Sequence, residues 1–160
     1  MTATPTLIIT GASRGIGRSI ALLAIQNFGA NVIGVARSQD ALQQLSHYIE
    51  NDLKLKDRFK FVVGDVTVES TATEALTLAT KSWSGELNGL VLNAGVLDPV
   101  GPVSGTSVED WKRNFDINFF SIVTIVQYAL PALRAAKGRV ILVSSGAAIY
   151  AYHGWGAYST

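Results

Sequence analysis

The densest chemistry in the chain lies in eight consecutive residues, Thr10-Gly11-Ala12-Ser13-Arg14-Gly15-Ile16-Gly17. Three glycines in eight positions permit a tight turn, a close approach of backbone to a ligand, and close packing of the helix that follows. Where such a turn joins a strand to a helix, the helix start offers free N–H groups and the positive end of its dipole to a phosphate. The spacing is T-G-x-x-x-G-x-G and differs from the G-x-G-x-x-G of the usual dinucleotide fingerprint. A plain strand-to-helix turn, with glycines for geometry alone, is the competing reading. Further on, the run Val32–Val35 is followed by Ala36, Arg37 and Ser38. Dinucleotide folds that bind a free ribose 2′-hydroxyl usually place an acid here. A guanidinium in its place suits a 2′-phosphate, which it can grip with paired hydrogen bonds. Other chemistries drop out by residue type. The chain has no cysteine, so there is no disulfide, thiolate or thiol nucleophile, and its two histidines, His47 and His153, are too far apart in sequence to suggest a metal site.

The elements that must carry these residues alternate along the chain. Leu7–Thr10, Val32–Val35, Phe59–Val63, Leu90–Leu92 and Val140–Val143 are short, continuous apolar runs, as buried parallel strands require. Helical stretches over about 15–28, 39–52, 68–83 and 108–136 separate them, with Gly29 placed to stop the first and Gly138 the last. The order predicts an α/β fold, a doubly wound parallel sheet of Rossmann type, in one domain spanning 1–160. In the last helix Trp111, Phe115, Phe119, Ile122, Val126, Ala129 and Leu133 recur at helical spacing and predict its core face. Phe120, Val123, Ile125 and Leu130 lie elsewhere on it and predict a second covered side. The stretch 117–136 has the length of a membrane span, but Asn118, Ser121, Thr124, Gln127, Pro131 and Arg134 favour a buried helix of a folded domain. Hydrophobic residues make up 48% and charged residues 16% of the chain, which excludes a disordered segment. A net charge of +1 leaves no basic field for nucleic acid. Lys54, Lys56, Arg58 and Lys60 read as a solvated loop face.

With the glycine octet in place, four further motifs in order give the chain a resemblance to the short-chain dehydrogenase/reductase family over nearly all its length. They are Asp65-Val66 after the third strand, Asn93-Ala94-Gly95 after the fourth, Asn118 in the long helix, and Ser145 with Tyr158 thirteen residues on. Within the family, Gly154-Trp155-Gly156-Ala157-Tyr158 and the two arginines are most similar to sepiapterin reductase and the fungal benzil reductase-like proteins. The resemblance implies an oxidoreductase that uses NADP(H) to reduce a ketone or diketone carbonyl of a small molecule. It implies Tyr158 as acid/base, Ser145 as the group holding the carbonyl oxygen, and Asn118 as the residue supporting the helix and a relay water. It also implies cofactor contacts from Gly11, Ser13, Arg14, Gly15, Ile16, Gly17, Arg37, Ser38, Asp65, Val66, Asn93, Ala94, Gly95 and Tyr158, with Arg14 reaching the same region as Arg37.

The family also places a lysine four residues after its tyrosine, where its charge lowers the tyrosine pKa and it binds the nicotinamide ribose. Here the sequence ends at Tyr158-Ser159-Thr160, and no other tyrosine has a lysine at that spacing. The expectation is therefore the N-terminal part of a longer reductase, whose 160-residue piece is inactive alone. The alternative is a catalytically inactive nucleotide-binding module. The apolar second side of the long helix predicts a homodimer or homotetramer of the whole protein. Met1–Thr6 has no charged leader segment, and the expected compartment is cytoplasmic.

Overall fold

In a computed structural model residues 4–160 are described, so the first half of Met1–Thr6 lies outside the described residues. Five strands, β1 (Thr6–Thr10), β2 (Asn31–Ala36), β3 (Phe59–Val63), β4 (Gly89–Leu92) and β5 (Arg139–Leu142), form one sheet in the order β3-β2-β1-β4-β5. Every pairing is parallel, with Ile8 opposite Ile33 on one side and Leu90 on the other. Parallel neighbours need a crossover, and helices supply it: α1 (Gly15–Phe28), α2 (Gln39–His47) and α3 (Glu69–Lys81). A longer helical run follows: α4 (Val108–Phe115), a wide turn at Asp116–Phe120, and α5 (Ser121–Ala135). A short α6 (Gly156–Ser159) closes the described chain.

Strand alternation sorts the apolar side chains into two cores. Ile8, Ile33, Val35, Leu90 and Leu92 face α3 and α5, where they meet Ala72, Ala75, Ile125, Ala129 and Leu133. Ile9, Val32 and Val91 face the other way, against Ala21, Ile25, Leu42 and Leu45 of α1 and α2. Each fully buried isoleucine or leucine is worth about 1.5–3 kcal/mol, so both helical layers are held by the same central strands. The sheet is therefore the predicted doubly wound one.

Three sequence expectations change. The core face of the long helix runs through Asn114, Ile117, Ser121, Ile125, Ala129 and Leu133, while Phe119 is 54% exposed. The cause is the wide turn at Asp116–Phe120, whose i→i+5 bonding adds a residue and rotates everything beyond it. Ile125 thereby moves into the core. Second, the left-handed residue after α5 is Lys137, at φ 53°. Gly138 serves a different need, because a Cβ there would stand 2.7 Å from the Leu87 carbonyl oxygen. Third, part of the basic loop is pinned. Arg58 donates to the Gly29 carbonyl and Asn31 Oδ1, both at 3.0 Å, and the Lys60 ammonium lies 4.8 Å from the Trp83 ring centre.

The helical run Val108–Ala135 has the length and apolarity of a membrane span, yet its buried face lies on β4 and α3. At the far edge β5 is exposed along its whole length, with Ile141 and Leu142 each 57% open.

Candidate active site

All five strands point their C-terminal ends the same way, and the chain leaves β1 for β2 on one side and returns to β4 on the other. A crevice opens where those directions part. Its floor is the turn after β1. Gly11 sits at φ +69°, where side chains are disfavoured, and a Cβ there would lie 2.7 Å from Asn93 Nδ2. Gly17 is buried in the first turns of α1, and a Cβ there would collide with the Gly11 carbonyl oxygen and reach within 2.5 Å of Asn93 Nδ2. The Gly11 amide donates to the Val35 carbonyl at 2.8 Å. The Asn93 and Ala94 amides both donate to Thr10 Oγ1 at 3.0 Å, and Asn93 Nδ2 donates to the Thr10 carbonyl at 3.1 Å. Turn, helix and strand end are thus locked together. Arg14 precedes α1 in extended backbone, and α1 has neither a side-chain cap nor an acid in its first turn. Its leading N–H groups remain available to an anion.

A cleft of about 720 Å³ lies over this floor. Gly11, Ser13, Arg14, Gly15 and Ile16 line one side, Arg37, Ser38, Asp65 and Val66 the far end, and Asn93, Ala94 and Gly95 the near wall. Ser38 Oγ also accepts the Ala41 amide, capping α2. Asp65 Oδ1 accepts both the amide and the hydroxyl of Thr67, at 3.0 and 2.9 Å, and Arg37 Nη1 stands 3.9 Å from Oδ2. The Thr67 amide foremost, then its hydroxyl and the Arg37 and Arg113 charges, hold the Asp65 carboxyl below the usual carboxylate range against partial burial. Gly17 does not line the cleft; its place is beneath the turn.

A second cleft of about 490 Å³ shares Ile16, Asn93, Ala94, Gly95 and Val96 with the first, so the two are continuous. Asn118, Ser145 and Tyr158 all line it. Asn118 is fully engaged: Oδ1 accepts the Val96 amide and Nδ2 donates to the Val96 carbonyl, each at 2.8 Å. This clamps the strand after β4 to the wide turn in the long helix. Ser145 Oγ accepts the Ala147 amide at 3.2 Å, which leaves its own O–H to donate elsewhere. Tyr158 rides on α6, edge-on to Trp155, which stacks on Tyr152. The Gly101 amide donates to the Gly154 carbonyl at 2.8 Å and ties this segment to the loop after β4. His153 is exposed and lines neither cleft.

Sequence reasoning missed Gly64, Val96, Ile117 and Trp155 among the lining residues. Val96 and Ile117 adjoin motifs already recognised, so adjacency was a usable signal. Trp155 stood inside the Gly154–Tyr158 stretch already singled out, three residues before the tyrosine, which was the same kind of signal.

The sequence family described as short chain dehydrogenase matches residues 5–160. The chain is similar to an uncharacterized oxidoreductase of Saccharomyces cerevisiae, 43% identical over 155 residues, covering 96% of this chain and 58% of that protein. A benzil reductase ((S)-benzoin forming) of the same yeast is 38% identical over 159 residues, covering 95% of this chain and 58% of that one. Among solved structures, a short chain dehydrogenase/reductase from S. cerevisiae superposes with TM-score 0.86 at 43% identity, over 97% of this chain and 59% of that one. A serine dehydrogenase in its closed form, complexed with NADP+, gives 0.82 at 29% identity, over 96% and 59%. The chain spans about 58–60% of the length of the curated yeast relatives it matches.

Proposed function

The chain belongs to the short-chain dehydrogenase family, and from that premise we propose that the whole protein is an NADPH-dependent reductase of a small-molecule ketone or diketone. The carrying observation is the continuity of the two clefts: a phosphate-binding floor leads directly to a chamber lined by Ser145 and Tyr158. The dinucleotide fits the donor set, since uncapped α1 amides, Arg14 and Arg37 face the space where phosphates would lie. A yeast relative named for benzil reduction and a neighbour solved with NADP+ support the substrate class and the cofactor.

The bound nicotinamide supplies the hydride for carbonyl reduction. Ser145, its oxygen already occupied by the Ala147 amide, donates its O–H to the carbonyl oxygen. The Tyr158 hydroxyl donates the proton that the oxygen takes up as charge develops on it. Asn118 keeps the Val96 backbone, and with it the near wall, in place. Arg37 and Arg14 hold the 2′-phosphate. The whole protein pairs with further copies through the outer face of the long helix, where Phe119, Phe120 and Val123 are exposed.

The test is nicotinamide oxidation by the full-length protein with a diketone. Turnover with NADPH is expected, with Tyr158→Phe lowering kcat by about 10²–10⁴-fold, the usual scale of acid–base assistance. Unchanged kcat in that variant would remove Tyr158 from the chemistry.

A further inference from the structure

We propose that Trp111 of α4 is a positioning residue for Tyr158, acting through Gly156, which packs on its indole ring. The inference rests on the reading of Tyr158 as acid/base. The stretch Gly154-Trp155-Gly156-Ala157-Tyr158 contributes Trp155 and Tyr158 to the second cleft, while its two glycines line neither cleft. Both glycines meet other parts of the chain. A Cβ at Gly156 would stand 2.9 Å from Trp111 Cη2 and 3.1 Å from Cζ2, so the α6 backbone lies directly on the outer edge of the indole. Gly154, at φ +78°, accepts the Gly101 amide at 2.8 Å, and a Cβ there would come 3.2 Å from that same nitrogen. The indole is itself held in place, because its Nε1 donates to Thr106 Oγ1 at 2.9 Å. One turn further along α4, Asn114 is 1% exposed and its Nδ2 donates to the Asp98 and Val96 carbonyls at 2.7 and 3.3 Å. One helix therefore holds the Val96 wall at Asn114 and the Tyr158 turn at Trp111.

The arrangement answers a mechanical need. Proton transfer requires the Tyr158 hydroxyl within hydrogen-bond reach of the carbonyl oxygen that Ser145 holds. The tyrosine rides on α6, a single turn of four residues, and so short a helix does not fix its own geometry. Its place comes from what it packs on: Ala157, buried at 4% exposure, and the contact of Gly156 with the indole. Tyr158 follows Gly156 by two residues, so a shift of that backbone carries the hydroxyl with it. A misplacement of about 1 Å from outside the site can cost about 10²-fold in rate. Trp111 lines neither cleft, so its effect falls on the proton transfer and spares cofactor binding.

The experiment measures kcat with a diketone, and NADPH affinity by fluorescence titration, in the full-length protein. The variants are Gly156→Ala, Trp111→Phe and the two combined. Gly156→Ala drives a methyl into the indole edge and should lower kcat about 10²-fold with NADPH affinity unchanged. Trp111→Phe removes the ring atoms at that contact and should lower kcat by a smaller factor, about tenfold. In the combined variant the shorter ring makes room for the methyl. It should therefore turn over faster than Gly156→Ala alone, the non-additivity expected of residues in contact. A combined variant no faster than Gly156→Ala would overturn the inference, as would wild-type kcat in Gly156→Ala. So would NADPH affinity that falls in step with kcat, the mark of a general loosening. If Gly156→Ala does not fold, Trp111→Phe decides: lowered kcat at wild-type NADPH affinity supports the inference, and wild-type kcat overturns it. Tyr158→Phe, measured alongside, separates the two readings. Unchanged kcat there removes the Tyr158 reading and the inference with it, whereas lowered kcat there without rescue in the combined variant removes the inference alone.

Discussion

Single atoms at Gly17 decide whether the phosphate floor forms. Its missing Cβ is the space in which α1 rests on the Gly11 carbonyl and Asn93. Backbone cannot yield as a flexible side-chain tip can, so Gly17→Ala should cost about 1–3 kcal/mol as overpacking. A thermal melt would show it as a lowered Tm, and NADPH affinity should fall with it because the α1 amides shift. Arg37→Asp belongs at the same scale. Losing a charge-assisted bond to phosphate costs about 1.5–3 kcal/mol, so NADPH should weaken at least about tenfold while NADH is spared, read by fluorescence titration. Asp65 gives a pH signature. Its carboxyl titrates below the ordinary range because the Thr67 amide and hydroxyl and the Arg37 and Arg113 charges favour the ionised form. A depressed folded-state pKa stabilises the fold above the ordinary carboxylate pKa, and that contribution is lost as pH falls through the folded value. A carboxyl-carbon NMR titration should therefore place Asp65 below a free aspartate. Thr67→Ala should raise the midpoint only in part, since the amide, the largest influence, remains.

Between elements, Asn118 is the joint of the site. Its carboxamide pairs with both the amide and the carbonyl of Val96, far from it in sequence, and its Nδ2 also donates to Asn114 Oδ1 at 3.0 Å. Asn118→Leu would leave the Val96 amide unpaired beside the cleft, at about 1–3 kcal/mol, while Asn114 Nδ2 still donates to the Val96 carbonyl at 3.3 Å. The expected result is a lower Tm and faster amide exchange at Val96, with β1 and β2 amides still protected. The helix carrying Asn118 also shows how a periodicity argument fails. One uninterrupted period over 111–133 puts Phe119 on the core face and Ile125 on the second side. The wide turn inserts a residue, and the Ser121 hydroxyl bonds the Ile117 carbonyl within it, so the inward line changes phase.

For the molecule as a whole, two of the outward-facing apolar surfaces among the described residues bear on assembly. One is β5, where Val140, Ile141 and Leu142 lie at the open edge of the sheet. An exposed flat apolar edge is a template for pairing with other chains. The 160-residue stretch expressed alone should aggregate, visible as rising light scattering, and Ile141→Lys should suppress this without altering the far-UV spectrum. The other is the outer side of the long helix, where Phe119 and Phe120 are 54% and 53% exposed and packed edge-to-face on each other. In the full-length protein Phe120→Asp should shift the mass seen by multi-angle light scattering to that of a monomer. A wild-type monomer would exclude assembly through this face.

Much of the fold was legible because its signals are local. Five β-branched runs, the glycine octet and the helical stretches between them are contiguous in sequence, and α1 begins and ends at the residues expected, with Gly29 left-handed at its close. Most family motifs were legible for the same reason, being a few adjacent residues at a strand end, while Asn118 in the long helix and the thirteen-residue step from Ser145 to Tyr158 were legible from order and spacing. What tertiary structure alone decided were relations between distant residues. Gly138 looked like a helix stop, but the approach of the Leu87 and Asn88 carbonyls is what excludes a side chain there, and Lys137 takes the left-handed turn. Arg58 and Lys60 looked solvated until Gly29, Asn31 and Trp83 folded against them. Local sequence encodes backbone preference and hydrophobic period; which charges share a field, and which carbonyls crowd a glycine, depends on distances that exist only once the chain has closed.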